Sequence, residues 1–173
     1  MPELVAPTVR LHAPWLAAHD EWGPGPHEDG FGLRSTDEVR SPEGFAAWVT
    51  RLADQSDPGK RPDAGPVCTY RWIVEDDRVL GGIALRHRPD DRLLRVAGHI
   101  GYGIRPSARR RGLATWALGR MLGTARALGL GRVLLVCAAD NVASAATIEH
   151  HGGVPEEIRD TEPGSARRYW ITL

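Results

Sequence analysis

The chain has 173 residues, 42% of them hydrophobic and 25% charged, and its formal net charge is zero. That is material for one domain, residues 1–173, with a core of its own, and it excludes a global field drawing the protein to nucleic acid or an anionic membrane. No apolar run approaches the roughly 20 residues of a membrane span, and "MPELVAPTVR" has neither the basic start nor the apolar stretch of a signal peptide, so a cytoplasmic protein is expected.

In chain order, a short strand is expected around Thr8 to Leu11, then a helix from Pro14 to Trp22 with the proline near its start. "GPGPHEDGFGLRS" reads as a loop. Ser41, Pro42 and Glu43 form an N-cap, a first helical position and a first-turn acid, opening a helix to about Asp54 whose Phe45, Trp48, Val49 and Leu52 share a face. After a second loop, "QSDPGKRPDAGP", two apolar runs joined through Asp76-Asp77 predict a hairpin. "LLRVAGHIGYGIRP" reads as a third strand ended by Pro106. From Gly112, Leu113, Ala117, Met121, Ala125 and Leu128 recur at helical spacing, up to Gly129 and Gly131. "RVLLVCA" is a buried strand, Asn141 opens a helix to about His151, and strands near Val154 to Arg159 and Arg167 to Leu173 finish the chain.

The order is that of a mixed α+β domain: a mostly antiparallel sheet flanked by helices, with one strand–helix–strand unit that implies a locally parallel pair. Cys68 and Cys137 sit far apart in strand-like runs and fit no metal spacing or disulfide framework; reduced, buried thiols are expected. His150-His151 has no metal spacing either. Lys60 is the only lysine among 22 basic residues, so an arginine carries information only through its placement.

That placement is most informative at "RPSARRRGLA", where Arg109, Arg110 and Arg111 meet Gly112 at the mouth of a helix. A helix start leaves amide N–H groups unpaired and carries the positive end of the helix dipole. Gly112 lets the backbone approach an anion, and arginines add charge-assisted bonds. A pyrophosphate suits such a turn. There is no G-x-x-x-x-G-K-[ST], and "GYGIRP" lacks the third glycine of a dinucleotide fingerprint. Downstream, "LLVCAADNVASAATIEHHGG" puts Asp140-Asn141 directly after the buried strand, where the Asn caps its own helix or bonds a ligand lying between the strands.

Taken together, Arg109, Gly112 and Ala114 in the R/Q-x-x-G-x-G/A pattern, the Ile104-Arg105-Pro106 strand end and Asn141 resemble the GNAT superfamily of acyl-CoA-dependent N-acetyltransferases. The resemblance spans nearly the whole chain. It implies a GNAT-like sheet with a parallel, splayed strand pair at the cofactor site and acetyl-CoA as co-substrate, without a metal. By resemblance, Arg109, Arg110, Arg111, Gly112, Leu113, Ala114 and Thr115 hold the pyrophosphate. Tyr102, Gly103 and Ile104 pair with the pantetheine, and Ile104 N–H faces the thioester carbonyl. Asn141 and Ser144 meet the cofactor from the other side.

An amine attacks the thioester and must lose a proton. Where many members keep a Glu, this chain has His99, whose imidazole suits a base; a strand histidine satisfied by a neighbour is the other reading. The departing thiolate wants a proton, which the family often supplies from a Tyr seven residues after the Asn. Here that position is Ile148, and Ser144, one turn nearer on the same helix face, can stand in for it; a helix-surface or capping serine is the other reading. The acids of "HDEW" and "HED", beside Trp15, Trp22, His19 and His27, suit a cationic amine or are simply a solvated acidic surface. The expected reaction is acetyl transfer to a primary amine of a small molecule by a monomer or homodimer. A protein N-terminus or lysine is the enzyme alternative, and a non-catalytic acyl-CoA sensor is the other class.

Overall fold

A computed structural model describes residues 1–23, 30–60, 65–161 and 164–173. The strands are β1 (Glu3–Val5), β2 (Cys68–Glu75), β3 (Arg78–Arg86), β4 (Ile100–Ile104), β5 (Arg132–Ala138), β6 (Val154–Thr161) and β7 (Gly164–Thr172). The helices are α1 (His12–Trp22), α2 (Pro42–Gln55), α3 (Asp91–Val96), α4 (Leu113–Ala127) and α5 (Val142–His150). They assemble as two sheets, β1-β2-β3-β4 and β5-β7-β6, and every strand ladder is antiparallel.

Local chemistry explains most boundaries. Ser41 Oγ accepts the Gly44 N–H at 3.1 Å, which starts α2 as its sequence predicts. Asp76 and Asp77 both take left-handed backbone, φ 49° and 58°, and close the β2–β3 hairpin between Glu75 and Arg78.

Two expectations fail locally. The strand around Thr8 to Leu11 is a 3₁₀ turn over Val9–Leu11, because Thr8 accepts the Arg10 N–H and starts a turn running into α1; the edge strand is β1 instead. The strand expected to begin at Leu93 begins at Ile100. Asp90 accepts the Leu93 N–H at 2.8 Å and caps the short helix α3, which ends where Ala97 and Gly98 both donate to Leu93 O.

Each face of the first sheet has its own core. Ile73, Leu80, Ile83 and Leu85 pack with α4 and α5, while Tyr70, Trp72, Val79 and Ala84 pack with α1 and α2. On the second face Trp15, Trp48 and Trp72 are at most 2% exposed and sit in ring contact, Trp15–Trp48 at 4.7 Å and Trp48–Trp72 at 5.8 Å. Burying one such ring stabilises by about 2–3 kcal/mol.

β4 and β5 form no ladder, parallel or otherwise. The sheets meet at one isolated bridge, Gly98 with Leu135, of antiparallel geometry. Gly98 is a turn residue at φ 66° just ahead of β4, so the local chain direction there is not the strand's. Beyond this seam the two edges part, which is the expected splay.

A Cβ at Gly98 would run into the Leu134 carbonyl, and the positive φ adds strain. Gly98→Ala should therefore lower stability by about 2 kcal/mol or more, measured by urea denaturation; a change within about 0.5 kcal/mol would mean that the seam yields freely.

Candidate active site

The open edges of β4 and β5 have a definite polarity. Arg86 N–H donates to His99 O and Arg105 N–H to Leu80 O, so with the β3–β4 register Gly101 and Gly103 bond β3. The main-chain groups of Tyr102 and Ile104 consequently face β5. By the same alternation, Leu173 N–H to Gly131 O and Ala139 N–H to Ser165 O turn the main chain of Leu134, Val136 and Ala138 toward β4. The result is a cleft lined by two strand edges, a place where an amide-bearing chain can bond as an added strand.

His99 closes the base of this cleft. Its N–H donates to Leu134 O at 2.7 Å, and its ring Nδ1 accepts the Leu134 N–H at 3.0 Å. One residue thus satisfies both main-chain groups of Leu134. With Nδ1 accepting, the proton of the neutral ring is on Nε2. Burial first, then the charges of Arg86 and Arg132, hold the imidazole below its ordinary value of 6.5.

At the mouth, α4 begins without a side-chain cap, whereas Ser41, Asp90 and Asn141 cap α2, α3 and α5. The loop before it places Arg110 at φ 62° and Gly112 at φ 74°. A Cβ on Gly112 would meet nothing within 4 Å, so its outer side is open. The first-turn amides of a 15-residue helix are therefore presented to the cleft mouth with the positive end of its dipole.

The loop is anchored from three sides. Arg105 is buried and reaches back to α1, where its Nε donates to Glu21 at 2.7 Å; Glu21 also accepts the Ser107 N–H at 2.5 Å and its hydroxyl at 3.0 Å. Burial opposes the charge on Glu21, but these donors outweigh it and hold the carboxyl at about 2. Arg109 Nε donates to Ile104 O at 3.0 Å, and Arg111 pairs with Glu75 at 2.5 Å.

A family model for the acetyltransferase (GNAT) domain matches residues 11–154. The chain belongs to the GNAT acetyltransferase family. Solved structures share the fold at low identity. One is the microcin C7 self-immunity acetyltransferase MccE in complex with acetyl-CoA and AMP, at 14% identity and TM-score 0.70 over 99% of this chain and 92% of that one. Another is RimL, a ribosomal L7/L12 α-N-protein acetyltransferase in complex with coenzyme A, at 17% and 0.73 over 99% and 94%. A third is a ribosomal-protein-S5-alanine acetyltransferase from Vibrio fischeri, at 15% and 0.73 over 99% and 91%. No curated protein matches.

Against this frame, the residues singled out from the sequence of this acetyltransferase divide into groups. Tyr102, Gly103, Ile104 and the segment from Arg109 to Thr115 all line or adjoin the cleft. The arginines are less free than their clustering implied, since Arg111 is tied to the β2 end and Arg109 braces β4. Asn141 Oδ1 accepts the Ser144 N–H at 3.1 Å, so it caps its own helix. Ser144 is half-buried, its Oγ 2.9 Å from the Tyr102 hydroxyl. Ile148 is a core residue at 1% exposure.

His99 does not suit the role of base. The only lone pair of its neutral ring is spent on Leu134, and charging it would set a donor against that N–H. The acids of "HDEW" are also engaged, Asp20 with Arg40 at 2.6 Å and Glu21 with Arg105. His27, Glu28 and Asp29 lie outside the described residues. Two contacts leave no local mark in the sequence: the Glu21–Arg105 pair bridges 84 residues, and the Tyr102–Ser144 pair bridges 42. Among the described residues no group of three or more His, Cys, Asp or Glu could hold a metal ion, and no helix is long and apolar enough to cross a membrane.

The depressed imidazole sets a pH dependence. Stability from neutral His99 is complete above its ordinary value of 6.5 and is lost as the pH falls through the lower folded value. Asn at this position keeps an acceptor near Nδ1 without titrating. His99→Asn should therefore flatten the decline of Tm between about pH 7 and about pH 5; parallel curves for the two proteins would count against the seam assignment.

Proposed function

We propose that residues 1–173 work as one acetyl-CoA-dependent N-acetyltransferase, passing the acetyl group directly to a primary amine bound in the same complex. The observation that carries this reading is the two-edged cleft, with its β4 amides facing inward and an uncapped helix at its mouth. Acetyl-CoA fits it by chemical kind. Its pyrophosphate matches the α4 amides and the free side of the Arg110–Gly112 loop, and its pantetheine amides match the edge groups of Tyr102, Ile104 and Val136. The likeness to MccE and RimL, solved with acetyl-CoA and with coenzyme A, points the same way.

When bound, acetyl-CoA supplies the activated acetyl group. Ile104 N–H is the donor for the thioester oxygen, aimed by strand geometry before the substrate arrives, so charge growing on that oxygen needs no reorganisation. Leu113, Ala114 and Thr115 contribute main-chain N–H groups, so their side chains matter less than the turn that presents them. Ser144 Oγ is the hydroxyl for the departing sulfur. With His99 committed to Leu134, the amine gives its proton to solvent.

For the acceptor we propose a small-molecule amine, in line with the likeness to MccE. A protein N-terminal amine is the second reading, favoured by the likeness to RimL and to the S5-alanine enzyme. Two buried, unpaired cysteines suit a reducing compartment, which supports a cytoplasmic location.

Thiol release from acetyl-CoA should be detectable with one class of amine in a panel spanning polyamines, amino acid derivatives, peptide N-termini and lysine peptides. Gly112→Trp meets no clash, because the outer side of that position is open, but its positive φ costs about 1–2 kcal/mol; the variant should still fold, and it should weaken CoA binding by about tenfold or more in calorimetric titration. Unchanged affinity would remove the loop from the cofactor site. Tight CoA binding by the wild-type chain with no release on any amine would favour an acyl-CoA sensor.

A further inference from the structure

Ser144 is a weak acid on its own, and the surrounding groups show how it can be a sufficient one. Its Oγ lies 2.9 Å from the Tyr102 hydroxyl, which also sits 3.4 Å from the Ser144 carbonyl. Tyr102 comes from β4 and Ser144 from the first turn of α5, so the bond crosses from one sheet to the helix packed behind the other. Asn141 fixes Ser144 by accepting its N–H. The Tyr102 main chain faces the cleft while its side chain packs against the α4–α5 core. A third group, the Cys137 thiol on β5, also hydrogen-bonds Ser144, and burial pushes that thiol up.

We infer that Tyr102 backs Ser144 as the second member of a two-hydroxyl proton chain that protonates the departing thiolate. This deepens the acetyl-transfer reading and rests on it. As the amine nitrogen bonds the acetyl carbon, the carbon–sulfur bond breaks and the sulfur keeps the electron pair. Ser144 Oγ–H gives its proton to that sulfur, and the Tyr102 hydroxyl passes its own proton to Ser144 Oγ. The phenolate left behind is reprotonated from solvent, which has received the proton of the amine. Protons and charge balance over the cycle.

A phenol is a far stronger acid than an alkyl hydroxyl, so the chain lets a serine positioned by its helix deliver a proton that it does not hold readily by itself. The arrangement accounts for Ile148. A hydroxyl reaches α5 from β4, so the helix position one turn further on is left to the core. The Tyr102 hydroxyl acts through Ser144 and touches no reacting atom, whereas the Tyr102 main chain is the part that meets the cofactor.

The test uses the intact enzyme and the amine selected by the panel. Tyr102→Phe keeps the ring in its packing and should lower kcat about tenfold or more, with CoA affinity by calorimetry changed less than about threefold. Tyr102→Phe combined with Ser144→Ala should be no slower than Ser144→Ala alone, because both remove one chain.

Unchanged kcat in Tyr102→Phe, or losses that multiply in the double variant, would overturn the inference while leaving acetyl transfer intact. So would loss of CoA affinity at constant kcat, which makes the pair a strut. A matching kcat loss in Cys137→Ala but not in Tyr102→Phe would assign the proton to the thiol. Failure of the wild-type chain to bind CoA, or to release thiol with any amine, would overturn the acetyl-transfer reading and this one with it.

Discussion

The cleft exists because two strand edges are fastened at one end and separated along the rest, and the fastening is His99 on Leu134. A β-edge is normally an unstable thing to leave open, since each main-chain N–H and C=O seeks a partner. Here Leu134 is fully satisfied by one residue, through a main-chain donor and a ring acceptor. Further along, β4 and β5 form no ladder with one another. The left-handed turn at Gly98 is what makes this possible, since it brings the chain against Leu135 and then turns it away into β4.

A V held only at its base would hinge, and the apolar core prevents this. Residues of both sheets share one cluster: Ile83, Leu85 and Ile100 from the first, Val133, Leu135, Tyr169 and Ile171 from the second, with Ala117, Met121, Ala125 and Ile148 from the helices behind them. The strands therefore separate at their edges while their side chains remain in a common core. Small residues on α4 matter here, because Ala117 and Ala125, both at 0% exposure, let the helix sit close to β3 and β4. His151 adds a polar tie, with its Nε2 2.7 Å from the Thr115 carbonyl in the first turn of α4.

Much of this was legible in the sequence, and what was not has physical reasons. Apolar periodicity located α2, α4, β2, β3 and β5, because each buries one face over enough residues to leave a pattern, and Ser41 and Asn141 cap where they were expected to. The α3 segment was misread because six residues make too little of a turn pattern to outweigh Leu-Leu-Arg-Val, although Asp90 was there as a cap signal. The phosphate loop was readable because a backbone site leaves its mark in small residues and spacing. Side-chain pairings were not. His99 reads equally as a base or as a satisfied strand histidine until the position of Leu134 is known, and nothing local links Tyr102 to Ser144.

The arginines show the same division between what placement suggests and what packing decides. Three in a row beside a glycine suggest an anion site made of side-chain charge. In the fold, Arg109 Nε bonds β4 and Arg111 pairs with Glu75, so these two help to hold the loop's shape, as Arg105 does from α1, while Arg110 is exposed. Attraction for an anion then falls chiefly to the oriented amides of α4, which carry partial charge without any side chain having to be immobilised. Such a site is rigid before its ligand arrives, and less of the binding energy is lost to ordering it. Glu21 belongs to this scaffold rather than to an acceptor pocket. Its carboxylate gathers the Arg105 guanidinium and the Ser107 N–H at the end of β4, so α1 sets where the strand stops and the loop begins.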